Sequence, residues 1–287
     1  MEGGRKAGRP EGGPETGRLL CCRLSATHFG QSRRRVAAAH AARFRPVAGP
    51  LLLGQTPYMN ILVAGPHPDD QELAMGGTIA LLARRGHRVT LLDITDGEPT
   101  PHGSPEIRAA EAAAAAAALG VARQAAGLRN REVLYSLAGR HQLAAIYRQL
   151  RPDILFLPYP QDVHPDHGQV TRIAEDARFD AKLTRSTIPG EPFYPPRLIY
   201  YFCTHLRMNF PASFCVDVSA TMEVKMQALR CYDSQFFRGR PAAEQGAVLD
   251  YVRNLDAYFG GTIRRPFAEP FYVTEMLGLS GLEEIVL

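Results

Sequence analysis

The chain is 287 residues long, 45% hydrophobic and 22% charged, an ordinary composition for a globular protein, with a net charge of +4. That charge is local: residues 1–58 hold ten of the 33 Lys and Arg but three of the 29 Asp and Glu, so they carry +7 and the remaining 229 residues carry −3. The body is therefore not expected to bind nucleic acid or a membrane, and no apolar run approaches the roughly 20 residues of a membrane span.

Residues 1–58 are rich in Arg, Gly, Ala and Pro without periodicity, and are expected to form a disordered basic extension. Met59 stands directly ahead of the first strand pattern and is a candidate start. Ile61–Ala64 reads as a buried strand, Glu72–Arg85 as a helix closed by Gly86, and Arg88–Thr95 as a second strand. Pro105–Leu119 is a helix with Ser104 as N-cap, Pro105 in its first turn and Gly120 past its end. A third strand is weakly marked at Val121–Gly127. Gln142–Leu150 is helical and Asp153–Pro158 is a strong buried strand. Helices follow at Gln169–Ala177, Thr221–Tyr232 and Ala242–Phe259, with short strands at Leu198–Phe202, Phe214–Val218 and Phe271–Met276. This alternation predicts one α/β domain over 59–287: a Rossmann-like, mostly parallel sheet with helices on both faces. In the strand order 3-2-1-4 the first and fourth strands are neighbours, and ligands sit beyond their carboxyl ends.

Two histidine-rich segments follow those ends: Pro66-His67-Pro68-Asp69-Asp70-Gln71-Glu72 and Gln161-Asp162-Val163-His164-Pro165-Asp166-His167. Either alone has a plain structural explanation, a helix N-cap for the first and a solvated loop for the second. Together, at the ends of adjacent strands, they favour a metal site. Catalytic zinc takes three protein ligands and keeps one position open for water. His67, Asp70 and one of His164 or His167 supply such a set, with Asp69 as a neighbouring general base. No GxGxxG follows the first strand, so a dinucleotide cofactor is not supported. Five cysteines with no CxxC pair argue against a disulfide framework or a cysteine-rich zinc module, and Cys203, Cys215 and Cys231 read as core or near-core thiols. A reducing, cytoplasmic setting is the corresponding expectation. His102 and His205 are secondary candidates for lining the mouth of a site.

The two motifs, with Thr95-Asp96-Gly97-Glu98, Pro105-Glu-Ile-Arg108, Pro158-Tyr-Pro160, Val216–Ser219 and Ser234-Gln235-Phe236, resemble the PIG-L (LmbE-like) zinc deacetylases over nearly all of 59–287. The later elements most resemble the branch that deacetylates N-acetylglucosaminyl malate in bacillithiol biosynthesis. The resemblance implies zinc, or ferrous iron in its place, on His67, Asp70 and His167. It implies Asp69 as the base, His164 as the oxyanion and leaving-group partner, and Asp166 as the residue holding His164 in its tautomer. It implies sugar contacts from Arg108 and from the 128–130 element, where Leu-Arg-Asn130 replaces a Leu-Pro-Asp-like sequence. It further implies a small amino-sugar substrate and, as a family expectation, a homo-oligomer such as a hexamer. Rival readings are an amidase acting on a thiol-sugar conjugate and a metal-dependent sugar binder without turnover.

Overall fold

The computed structural model of the protein describes residues 58–205 and 211–279, so the expected basic extension, with Cys21, Cys22, His28 and His40, lies outside the described residues. β1 (Asn60–Gly65) lies between β2 (Arg88–Thr95) and β4 (Ile154–Pro158), parallel to both, and β3 (Ala122–Leu128) extends the sheet beyond β2. β5 (Arg197–Tyr201) pairs in parallel with β4, and the C-terminal strands β6 (Phe214–Asp217) and β7 (Ala268–Tyr272) close that edge antiparallel. The order is β3-β2-β1-β4-β5-β7-β6, which contains the expected 3-2-1-4 arrangement.

The apolar runs of β1, β2 and β4 are buried on both faces because helices cover both. Ile61, Val63, Val89 and Leu91 pack on one side with α1 (Asp70–Arg84), α2 (Pro105–Leu119), α5 (Met222–Arg230), α6 (Asp233–Phe236) and α7 (Ala247–Thr262). Leu62, Ala64, Leu155 and Leu157 pack on the other with α3 (Leu137–Leu150) and α4 (Pro165–Asp180). This is a single α/β domain with a mostly parallel sheet. Among the described residues no helix is long and apolar enough to cross a membrane.

Four expected elements are displaced by three residues or more, and the short helix α6 stands outside the sequence expectation. β7 covers Ala268–Tyr272 rather than Phe271–Met276. α3 starts at Leu137 rather than Gln142, because the Ser136 side chain caps it by accepting from the Gly139 N–H at 3.1 Å. α4 starts at Pro165, so the HPDH segment is itself the first turn of a helix. α7 starts at Ala247, five residues later than the apolar pattern suggests.

α1 is interrupted at Met75 (φ −143°, ψ 26°). The N–H groups of Gly77 and Thr78 just beyond it donate to the Glu269 carboxylate on β7 at 2.9 and 2.7 Å. The fully buried Lys225 donates to Glu269 and to Asp256 on α7, each at 2.7 Å, so this deep cluster contains its own cation.

Candidate metal centre and active site

The site forms where β1 and β4 end. Gly65 terminates β1, and a Cβ there would run into the side-chain amide of Gln71, so the glycine leaves room for that amide against the strand end. The Gln71 amide donates to Asp93 Oδ1 and to the Leu92 carbonyl at the end of β2. Thr95 fixes the connecting turn, its N–H and hydroxyl both donating to the Pro66 carbonyl. Asp69, the N-cap of α1, has φ 108° and makes no side-chain cap bond. Its carboxylate is thereby freed from capping and accepts instead from Arg108 Nη2 at 3.0 Å. The same Arg108 atom donates to the Pro68 carbonyl.

His67 and His167, 100 residues apart in the chain, are brought together. His67 Nδ1 lies 3.1 Å from Asp70 Oδ2, His167 Nε2 lies 3.3 Å from the same oxygen, and the two nitrogens are 3.3 Å apart. A tetrahedral ion with bonds of about 2.0–2.1 Å separates its ligands by about 3.3 Å. The three atoms thus already stand at the spacing of one coordination face, and the donor set fits zinc or ferrous iron. The other His167 nitrogen, Nδ1, is 2.8 Å from Asp162 Oδ2, a carboxylate–histidine pairing that orients a metal-ligating ring. Sequence reasoning quoted Asp162 without giving it this part.

The electrostatics agree with a cradle for a cation. Against the opposing effect of burial, the two imidazoles hold the Asp70 carboxyl well below the usual carboxylate range. His167 is raised despite burial by Asp70 and Asp162, and His67 is raised by Asp70 in the same way. A divalent ion would take the place of the protons these rings hold. Burial pushes Asp69 up to about 7, with Arg108 pulling down and Asp70 adding to the rise; a cation beside it would lower that value.

His164 caps α4, its Nδ1 accepting the Asp166 N–H at 3.2 Å, which leaves Nε2 to carry hydrogen. Burial and the neighbouring cationic rings hold it below the ordinary histidine range. Its ring centroid is 4.7 Å from those of both His67 and His167. Its donor nitrogen also falls with theirs in a group within 4.8 Å, a wider set than the face just described. Asp166 differs from expectation in its partner. Its carboxylate accepts the Arg131 N–H at 2.7 Å and stands 3.5 Å from His67 Nε2, so only its backbone N–H meets His164.

A cleft of about 220 Å³ opens over these groups, lined also by Arg108, Asn130, Pro99, Thr100, His205 and Gln235. Arg108 Nε and Nη1, Asn130 Oδ1 and His67 Nε2 are buried without a hydrogen-bond partner, an unusual concentration that a polar ligand would satisfy. A second chamber of about 360 Å³ shares Asp69, His205 and Gln235 with the first and continues between Leu73, Phe236, Arg240 and Val248. Beneath the site, Arg123 clamps Asp93 through two bonds of 2.6 and 2.7 Å and also donates to Glu72, which accepts from the Tyr232 hydroxyl at 2.9 Å. Sequence reasoning missed this network, since its members lie 21 to 160 residues apart and carry no motif.

Known proteins resemble this chain over the region that carries the two motifs. Residues 62–178, which contain both histidine motifs, match the family model described as PIG-L: GlcNAc-PI de-N-acetylase. A diacetylchitobiose deacetylase of Thermococcus kodakarensis is 29% identical over 224 residues, covering 73% of this chain and 80% of the relative. A 1D-myo-inositol 2-acetamido-2-deoxy-alpha-D-glucopyranoside deacetylase of Catenulispora acidiphila is 31% identical, covering 56% of this chain and 69% of the relative. The crystal structure of the conserved protein TT1542 from Thermus thermophilus superposes with a TM-score of 0.70 at 34% identity, over 77% of this chain and 98% of that one. The chain belongs to the PIG-L family and is a metal-dependent amide hydrolase.

Proposed function

We propose that the protein removes the acetyl group from an N-acetylglucosamine unit of a small glycoside, with zinc held by His67, Asp70 and His167. One observation carries this reading: three ligand atoms at mutual distances of 3.1–3.3 Å, with the unligated carboxylate of Asp69 beside them and unpartnered polar atoms on residues that line one cleft. An acetamide is a poor electrophile, and its nitrogen leaves only when protonated. A bound zinc ion would supply Lewis-acid polarisation of the carbonyl and a water acidic enough to attack near neutral pH. Asp69, held by Arg108, accepts a proton as the water attacks the carbonyl carbon. His164 Nε2–H donates a hydrogen bond to the developing oxyanion, and the C–N bond breaks as the nitrogen takes up the proton that Asp69 accepted, leaving acetate and a free amine. Arg108 Nη1 and Asn130 Oδ1 offer a donor and an acceptor to sugar hydroxyls.

The sequence resemblance favours N-acetylglucosaminyl malate, the bacillithiol-type precursor, as substrate. The relatives named for chitobiose and inositol glycosides supply the natural competitors. The test is acetate release by the zinc-loaded protein from N-acetylglucosaminyl malate, diacetylchitobiose and free N-acetylglucosamine. Hydrolysis of a glycoside well ahead of the free sugar supports the reading, and the preferred glycoside names the substrate. Tight sugar binding with no acetate from any of them overturns it in favour of a binder without turnover.

A further inference from the structure

Cys203 lies two residues past the end of β5, 2% exposed, inside the core. It is also part of a donor group: its Sγ, a carboxylate oxygen of Asp70 and a ring nitrogen of His167 all lie within 4.8 Å of one another, and all three residues are buried. Asp70 and His167 are therefore common to two sets of donors. The first is completed by His67 through nitrogen and oxygen atoms 3.1–3.3 Å apart. The second is completed from the protein interior by a thiol, while half-buried His164 and exposed His205 stand toward the solvent side.

We propose that Cys203 is a reserve thiolate ligand of the centre, giving this chain a second metal-binding mode, Asp70–His167–Cys203, that selects thiophilic divalent cations such as cadmium. This rests on the reading that His67, Asp70 and His167 hold the resident metal. On binding, the S–H bond breaks, its proton passes to solvent and a sulfur–metal bond forms, with no change of oxidation state. Ligand softness sets the preference: carboxylate and imidazole suit zinc well, whereas a soft cation gains most from sulfur. Distance sets the order of use. A metal–sulfur bond of about 2.3 Å beside metal–nitrogen bonds of about 2.0 Å puts sulfur roughly 3.5 Å from its co-ligands. Closing from as much as 4.8 Å to that distance takes a small turn of the thiol, which a harder ion already satisfied by His67 has less reason to draw in.

The experiment titrates the full chain with cadmium chloride and, separately, zinc chloride, reading near-ultraviolet sulfur-to-metal charge transfer and ¹¹³Cd resonance position. The other four cysteines (Cys21, Cys22, Cys215, Cys231) are replaced by alanine in a parallel background. The expected result is a charge-transfer band of one thiolate per chain that persists in that background. The His167→Asn change should abolish it, and Cys203→Ser in the full chain should move the ¹¹³Cd resonance. Cys203→Ser is also expected to lower the preference for cadmium over zinc by about tenfold, with zinc affinity nearly unchanged. An unmoved ¹¹³Cd resonance in Cys203→Ser overturns the proposal, and because it needs only that single conservative change it decides the matter even if the four-cysteine background fails to fold. Zinc binding with no cadmium–sulfur signature overturns the thiolate mode and leaves the proposed function standing. Failure to bind either metal overturns both.

Discussion

Two buried polar clusters hang on α1 and meet the same electrostatic problem differently. Around Glu269, two carboxylates face a cation supplied by the chain, Lys225 Nζ, at 2.7 Å from each. Around Asp70, one carboxylate and two imidazoles crowd to 3.1–3.3 Å with only protons to offset them. The first cluster is complete on folding, and breaking it leaves an uncompensated buried charge. The second, if it is the proposed metal centre, would be completed by an ion from outside, and its energetics would belong to binding. Similar burial and similar residue types thus serve stability in one place and chemistry in the other.

The largest expected effect falls on the chemical cluster. Asp69→Asn should lower deacetylation by about 10²–10⁴-fold while retaining metal, because the proposed function makes the residue a base and not a ligand. Metal analysis beside an amine-release assay checks this, and equal loss of metal would erase the distinction between base and ligand. Lys225→Met should cost about 3–5 kcal/mol of unfolding free energy by leaving Asp256 and Glu269 buried without a cation, while metal affinity stays put. Urea denaturation with a metal titration measures both, and a cost below about 1 kcal/mol would deny the deep cluster its stabilising part. Asp162→Asn should weaken metal binding about 10- to 100-fold through the orientation of His167, with little change in stability of the metal-free chain; isothermal titration with zinc separates the two.

The smallest effect is a pH dependence. Burial, reinforced by the charge of Glu269, pushes Asp256 up to about 7 in spite of Lys225. The folded chain then keeps a proton that the unfolded chain releases near 3.8, so the associated stabilisation is full below that value and is lost as pH rises through about 7. In Asp256→Asn, unfolding free energy should therefore fall less across this window than in the unaltered chain. Parallel slopes in denaturation series at several pH values would show that the carboxyl ionises elsewhere.

Much of this was legible in the sequence because it is local. Ile61–Ala64, Arg88–Thr95 and Asp153–Pro158 are apolar runs bounded by turn residues, and their alternation with helices dictates a parallel core in which β1 and β4 meet. His67 and Asp70 are three residues apart on one turn, so their pairing could be read directly. The start of α4 was hidden because His164 and Pro165 look like a loop motif while acting as N-cap and first-turn proline. The part of Asp162, the turn of the Asp166 carboxylate toward Arg131, and the Arg123–Glu72–Asp93 clamp needed the fold itself, since each depends on where backbone amides and distant strands come to rest.

The left-handed backbone of Asp69 has a consequence of its own. Glycine enters that conformation freely, whereas a residue with a side chain gives up about 1–2 kcal/mol there. An Asp69→Gly chain relieves that strain but strands the buried Arg108 guanidinium without its carboxylate, so it is expected to lose turnover with no gain in melting temperature. The backbone tension at this position is therefore borne by the same ion pair that holds the acid in place.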